Sequence, residues 1–127
     1  MNNYKNEKSI ILLYNFNNDD RTTQIRCFFT KKKIKVKTIQ SPDFLQPVGY
    51  LCEIPQFSKL SVFNLGNNFS DEMIVMYRLS DELLDEFLQF FKDNSIKPVD
   101  LKAVVTIINQ NWNSVQLHNA LITERKK

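Results

Sequence analysis

Two short apolar runs, 63 positions apart, constrain the fold of this 127-residue chain more than any other feature of its sequence. Residues 11–14 read Ile-Leu-Leu-Tyr and residues 74–77 read Ile-Val-Met-Tyr. A short continuous apolar run is typical of a strand buried on both faces of a sheet. The same offset places Phe28 on Phe91, and both occupy apolar positions of predicted helices. We therefore predict two similar halves and an internal repeat.

Each half reads as strand, helix, strand and short helix. Capping residues and apolar positions spaced three and four apart predict the helices, and the basic stretch at residues 34–39 alternates like a half-exposed strand. The predicted elements are strands at 9–14, 34–39, 73–77 and 101–108, with helices that begin near 17, 44, 80 and 114. This order predicts an α/β (α+β) fold, with two β-α-β halves forming one four-stranded sheet with helices packed on it.

The long connection between the halves leaves two arrangements open. If it reverses the chain, the fold is a ferredoxin-like sandwich with extra helices. If it keeps the chain direction, the fold is a fully parallel three-layer sheet. The exposed basic strand argues for one open edge or face, which favours the first arrangement.

Chain length, composition and the positions of turn-forming residues predict a single domain. We expect a disordered polar lead at residues 1–8, an α/β domain at 9–123 with halves 9–54 and 72–123, a linker at 55–71, and a tail at 124–127. No apolar run approaches the ~18 residues that a membrane span needs, and the start of the chain lacks a signal-peptide core. We expect a cytoplasmic protein with no membrane partner.

Several kinds of chemical site find no support in the sequence. Cys27 and Cys52 form no CxxC motif, and we expect Cys27 to be a small buried residue. The chain has only two glycines, which excludes a Gly-rich phosphate-binding loop. We predict no metal, no cofactor and no catalytic residue. The single histidine, His118, is expected on a helix surface, and its use as a general base is the weakest hypothesis.

The most unusual stretch, Asn-Gln-Asn-Trp at residues 109–112, lies between the last strand and the last helix. Ligands of open α/β sheets bind at the carboxyl ends of strands, and these side chains offer amides and a stacking surface. The alternative is a polar connector with a Trp that covers the edge of the core. The candidate ligand-binding residues are Tyr14, Tyr77, Thr106, Asn109, Asn111 and Trp112.

A second candidate surface is basic. Seven positive residues and no acid lie between positions 21 and 42, although the net charge is only +3. Such a run is a solvated face, is neutralised by acids elsewhere in the fold, or contacts nucleic acid or another anion. The candidate contact residues are Arg26, Lys31, Lys32, Lys33, Lys35 and Lys37.

Two motifs resemble a small bacterial family known as domain of unknown function 3783. They are Gln-Pro-Val-Gly-Tyr-Leu at residues 46–51 and the stretch from Leu101 to Trp112, and most of the likeness lies between Met73 and Leu121. The family pattern has Pro after the Thr of the last strand, where this chain has Ile107. The resemblance implies a cytoplasmic bacterial protein and brings no activity.

These observations predict a non-enzymatic α/β binding module for a small polar ligand or a protein partner, which uses the strand-end edge around the Asn-Gln-Asn-Trp turn. The alternative is a nucleic-acid accessory domain that uses the basic face at residues 21–37. An open sheet edge and opposite charge patches also suit a homodimer.

Overall fold

Short apolar runs and capped helices account for the regular elements of residues 8–126, the part of the chain that the computed structural model describes. Most of the predicted polar lead and the last residue of the predicted tail lie outside the described residues. The strands are β1 (Ile10–Tyr14), β2 (Lys35–Ile39), β3 (Met73–Tyr77) and β4 (Leu101–Val104). The helices are α1 (Asp20–Thr30), α2 (Val48–Leu51), α3 (Asp81–Asp93) and α4 (Ser114–Arg125), and 3₁₀ turns span Ser41–Asp43 and Asn109–Asn111.

The four strands form one mixed sheet in the order β2-β1-β3-β4. Each half contributes a parallel pair, and β1 and β3 meet antiparallel in the centre. The predicted α/β fold on one four-stranded sheet is confirmed. The sheet is not fully parallel, because the connection between the halves reverses the chain. It also differs from the ferredoxin-like arrangement, in which the two strands of each βαβ unit are split apart, because here they are direct neighbours.

Helices cover both faces of the sheet, so the protein has three layers. On one face, Ile11 and Ile74 pack against a core built from α1 and α3, which includes Phe29 and Phe87. On the other face, Leu12, Tyr14 and Val75 pack against α2 and α4. Because β1 and β3 are covered on both sides, their continuous apolar runs are the pattern that such strands require.

The middle pair of the central ladder joins two residues that correspond at the 63-residue offset. Leu12 pairs with Val75, and these two residues also lie 63 positions apart. The residue after each central strand, Asn15 or Arg78, has a positive φ, 63° and 61° respectively. The same backbone turn therefore follows both central strands. The internal repeat and a duplication of the chain stay predictions.

Four details differ from the sequence-based expectation. β4 ends at Val104 instead of residue 108, α2 begins at Val48, and α4 continues to Arg125 into the predicted tail. Cys27 is exposed, because it lies on the outer side of α1 rather than among its buried residues. Among the described residues, no helix combines the length and apolar character needed to cross a membrane.

Candidate functional site

The predicted site between β4 and α4 is a turn that its own side-chain amides hold together. Asn109 Oδ1 accepts a hydrogen bond from the Thr106 N–H at 2.8 Å, and its Nδ2 donates to the Val104 carbonyl at 3.0 Å. The Asn109 N–H donates to Thr106 Oγ1 at 3.0 Å, and Asn111 Nδ2 donates to the Ile107 carbonyl at 3.1 Å. Because Asn and Thr side chains that bond nearby backbone groups compete with strand pairing, β4 ends early.

This turn exposes aliphatic side chains instead of burying them. Ile107 is 84% exposed and Ile108 is 69% exposed, and Val104 at the end of β4 is 48% exposed. Both isoleucines lie between Thr106 and Asn109, the two residues whose mutual hydrogen bonds close the turn. The amides that the sequence singled out therefore fix the backbone beneath two apolar side chains. We call residues 104–108 the apolar turn.

The residues that follow the apolar turn join α4 to α2. The Trp112 carbonyl accepts a hydrogen bond from the Val48 N–H at 2.7 Å. Asn113 caps α4 in a capping box with Gln116, and it also forms an isolated bridge with Pro47, the residue that precedes α2. The Trp112 ring is partly buried against the core. This geometry is that of a connector, with the Trp closing the edge of the core.

The structure does not bring the two candidate tyrosines together. They end β1 and β3, and these strands are antiparallel, so Tyr14 and Tyr77 lie at opposite ends of the sheet. Tyr14 is fully buried and its hydroxyl shares a hydrogen bond of 2.7 Å with Ser114, while burial raises its pKa well above the usual range. A single site that contains both tyrosines would need parallel central strands, and β1 and β3 are antiparallel. Tyr77 is partly buried beside a separate cavity.

The sequence predicts His118 on a helix surface, but in the structure this residue is buried and only 8% exposed. Its Nε2 lies 2.8 Å from Asp71 Oδ2, and its ring stacks on Phe69 with the ring centroids 4.1 Å apart. Asn15 Nδ2 donates to the carbonyls of Phe69 and Asp71 at 2.9 and 3.0 Å. These contacts hold the end of the inter-half connection against α4 and against the end of β1. No local sequence pattern indicates this pairing, because Asp71 lies 47 positions from His118. The spacing of one helical turn from Ser114, which is buried, places His118 on the same face of α4.

Ser114 and His118 lie one helical turn apart but belong to separate pairs. Ser114 bonds Tyr14, and His118 bonds Asp71. Nucleophilic catalysis needs a hydrogen bond between nucleophile and base, and the two pairs do not supply one. The two pairs connect β1, α4 and the end of the connection.

The fold neutralises part of the candidate basic face. Glu53, which follows α2, lies 2.7 Å from Lys35 Nζ and 3.4 Å from Lys37 Nζ. The hydrogen bond from Lys35 is the main reason that the pKa of Glu53 falls below its usual range. Lys32 pairs with Glu86 of α3 at 2.9 Å, and Arg26 contacts Thr38 of β2. The remaining candidates, Lys31 and Lys33, lie in the turn after α1. Neutralisation by distant acids was one of the expected alternatives.

A polar cleft of about 350 Å³ lies near the carboxyl end of β1. Asn17, Asp71 and Arg125 are among the residues that line it. Arg125 lies 3.7 Å from Asp100, and Asp71 is bonded to His118. These charged groups are thus already engaged with other residues of the protein.

Comparison with known proteins gives a family for the second half of the chain. No curated protein and no solved structure matches it. A family model described as a domain of unknown function, DUF3783, matches residues 72–127, which contain β3, α3, β4 and α4. The resemblance seen in the sequence is confirmed over this range. We call residues 72–127 the DUF3783 domain, after the model that matches them.

Proposed function

We propose that this protein is a non-enzymatic binding module for another protein, and that the apolar turn contacts the partner. The observation that carries the proposal is the exposure of Ile107 and Ile108 on a backbone fixed by Asn109. Exposed aliphatic side chains gain free energy when a partner covers them. A turn that is already ordered loses little conformational entropy on binding, which favours affinity.

The chemistry of the turn favours a protein over a small polar ligand. Asn109 and Asn111, the amides expected to orient such a ligand, are bonded to the turn itself. The side chains that remain open to solvent are largely aliphatic. Apolar surface that is held in place and left exposed is typical of protein interaction sites.

A second amide-held segment has the same character. Gln46, buried beneath the inter-half connection, accepts a hydrogen bond from the Leu60 N–H at 2.7 Å and donates to the Leu60 carbonyl at 2.9 Å. Beyond this anchor, Phe63 is 87% exposed and Leu65 is 92% exposed. Exposed apolar side chains therefore recur outside the DUF3783 domain, close to an anchored point of the connection, which adds support for a protein partner.

Nucleic-acid binding is the weaker reading, because three of the six candidate basic residues, Lys32, Lys35 and Lys37, pair with carboxylates. A homodimer is one form of the proposed function, in which the partner is a second copy. Sedimentation of the purified protein over a range of concentrations distinguishes that case from a different partner.

Site-specific photo-crosslinking in the native host tests the proposal. A photoreactive amino acid at position 107 should give a discrete adduct with one protein, and the same group at Glu82, an exposed residue of α3, should not. Ile108→Asp should suppress the adduct from position 107. An adduct pattern that is the same at both positions contradicts the proposal, as does an adduct with nucleic acid that high salt abolishes.

A further inference from the structure

The surface formed by α4 and by the connection between the halves carries almost no formal charge. The chain has 17 Lys and Arg residues and 14 Asp and Glu residues. None of them lies in residues 114–123, which form most of α4, and residues 54–70 contain only Lys59. α4 packs with α2 on the face of the sheet opposite to α1 and α3. The charge of the molecule is therefore distributed unevenly between its two faces. We call residues 54–70 and 114–123 the neutral face.

The exposed positions of α4 differ in kind from those of α3. The exposed residues of α3 include four carboxylates, Asp81, Glu82, Asp85 and Glu86. α4 instead exposes Gln116, Asn119 and Thr123, whose spacing of three and four places them on one side of the helix. The outer side of a surface helix normally carries both charged and polar residues. Over residues 114–123 the outer side of α4 carries neutral polar residues only.

A row of neutral polar side chains is suited to contact with its own copy. In a two-fold symmetric dimer, a residue close to the axis meets the same residue of the second chain. A carboxylate or an ammonium group at that place would face a like charge, which is unfavourable. An amide or a hydroxyl group carries both a hydrogen-bond donor and an acceptor. Asn119 and Thr123 can therefore face a second copy of this helix without electrostatic repulsion.

Antiparallel packing of two α4 helices uses the whole row. With the two-fold axis between Asn119 and Ala120, Gln116 lies opposite Thr123 of the partner subunit, because the two positions are equally far from the axis. Gln116 is already held in place, since its Oε1 accepts a hydrogen bond from the Asn113 N–H at 2.8 Å. A side chain that is ordered before association loses little entropy on binding.

The connection extends the neutral face beyond α4. A helix of 12 residues is about 18 Å long, whereas a stable interface buries about 800 Å² on each partner, so α4 needs neighbouring surface. Asn64 Nδ2 donates to the Ser41 carbonyl at 2.7 Å, and the Ser114 N–H donates to the Phe44 carbonyl at 3.0 Å. The connection and the start of α4 are thus bonded to the same short segment between β2 and α2. Phe63, next to Asn64, is 87% exposed and adds apolar area.

We propose that the protein forms a two-fold symmetric homodimer in which α4 packs antiparallel against α4 of the second copy, with the neutral face as the interface. The apolar turn, residues 104–108, is not part of the neutral face. The inference therefore does not rest on the proposed function, and the two can fail separately.

Sedimentation velocity of the full chain over a range of concentrations tests the proposal, combined with charges introduced at the axis. The wild type should show a monomer–dimer equilibrium. Asn119→Glu and Asn119→Lys each place like charges across the axis and should raise the dissociation constant of the dimer at least about tenfold. An equimolar mixture of the two variants should restore the dimer, because opposite charges then face each other. Gln24→Glu is the matched control, since it adds a charge at an exposed position of α1 and should leave the dimer unchanged.

Three results would overturn the proposal. They are a wild-type chain that stays monomeric at millimolar concentration, a dimer that Asn119→Glu does not weaken, and a mixture of the two charge variants that dimerises no better than either variant alone. Restoration in the mixture also shows that both variants are folded.

Ile107→Asp separates this inference from the proposed function, and it should leave the dimer intact. A dimer that is weakened by Ile107→Asp and not by Asn119→Glu would place the second copy on the apolar turn. That result would support the proposed function and overturn the inference drawn from α4.

Discussion

The hydroxyl groups of Tyr14 and Ser114 share a buried hydrogen bond of 2.7 Å that joins the end of β1 to the first residue of α4. Both residues are 0% exposed. The bond spans 100 positions of the chain and links the first half to the DUF3783 domain. A buried hydroxyl that loses its partner costs free energy, so this contact helps to fix how the two halves pack.

Tyr14→Phe should lower the free energy of unfolding by about 1–2 kcal/mol, because it leaves the Ser114 hydroxyl buried without its partner. Tyr77→Phe is the matched control: the hydroxyl of Tyr77 has no partner among the described residues, and the change should be within about 0.5 kcal/mol. Urea denaturation of both variants measures the difference. Equal effects would show that the Tyr14–Ser114 bond contributes nothing specific.

The DUF3783 domain should not fold by itself. β3 lies between β1 and β4 in the sheet, and β1 contributes apolar residues to the cores on both faces. A fragment of residues 72–127 lacks β1, so the edge of β3 that pairs with β1 in the full chain has no partner strand. Circular dichroism of this fragment should show little cooperative unfolding, whereas the full chain should melt cooperatively. Addition of a separate fragment of residues 1–71 should restore the transition, and a cooperatively folded 72–127 fragment would contradict the prediction.

Asn109→Ala should lower the free energy of unfolding by about 1–2 kcal/mol, because it removes the side-chain hydrogen bonds to Thr106 and Val104. Hydrogen exchange at the Thr106 amide should become faster in this variant. Ile107→Ala serves as the control, since Ile107 is exposed and its loss should change stability by less than about 0.5 kcal/mol. An unchanged Thr106 amide in Asn109→Ala would mean that the turn holds its shape without that side chain.

The Lys35–Glu53 pair should make stability depend on acid pH. The pKa of Glu53 is lower in the folded protein than its usual value, chiefly through the hydrogen bond from Lys35. Its contribution to stability is therefore present above the unfolded pKa of about 4.3 and is lost as the pH falls through the folded pKa. Glu53→Gln should flatten the pH dependence of unfolding in this window. The difference should be small and should shrink in high salt, since the pair is largely exposed; an identical profile in the variant would contradict it.

The fold was predictable where local pattern decides the structure. The apolar runs of β1 and β3 are continuous because both faces of those strands are covered, and the Ser80 cap and the apolar stripe of α3 are local signals. The antiparallel direction of β3 relative to β1 was favoured only indirectly, by the exposed basic strand. It depends on the long connection, whose anchors are contacts such as Asp71 with His118 that no local pattern encodes.

The candidate site was predictable in location but not in chemistry. Residue type singled out Asn109 and Asn111, yet whether an amide bonds a ligand or its own backbone depends on the fold of the turn. The adjacent Ile107 and Ile108 looked like a continuation of β4, because β-branched residues favour strands. Their exposure follows only once the hydrogen bonds between Thr106 and Asn109 are known.

The most direct test of the central claim is the dissociation constant of the partner protein for the wild type and for Ile107→Asp. Covering one isoleucine contributes about 2 kcal/mol, so the variant should bind roughly thirtyfold more weakly with an unchanged melting temperature. A Lys31→Ala, Lys33→Ala double variant should bind like the wild type. An Ile107→Asp variant that keeps wild-type affinity, beside a lysine variant that loses it, would contradict the account and place binding on the basic face.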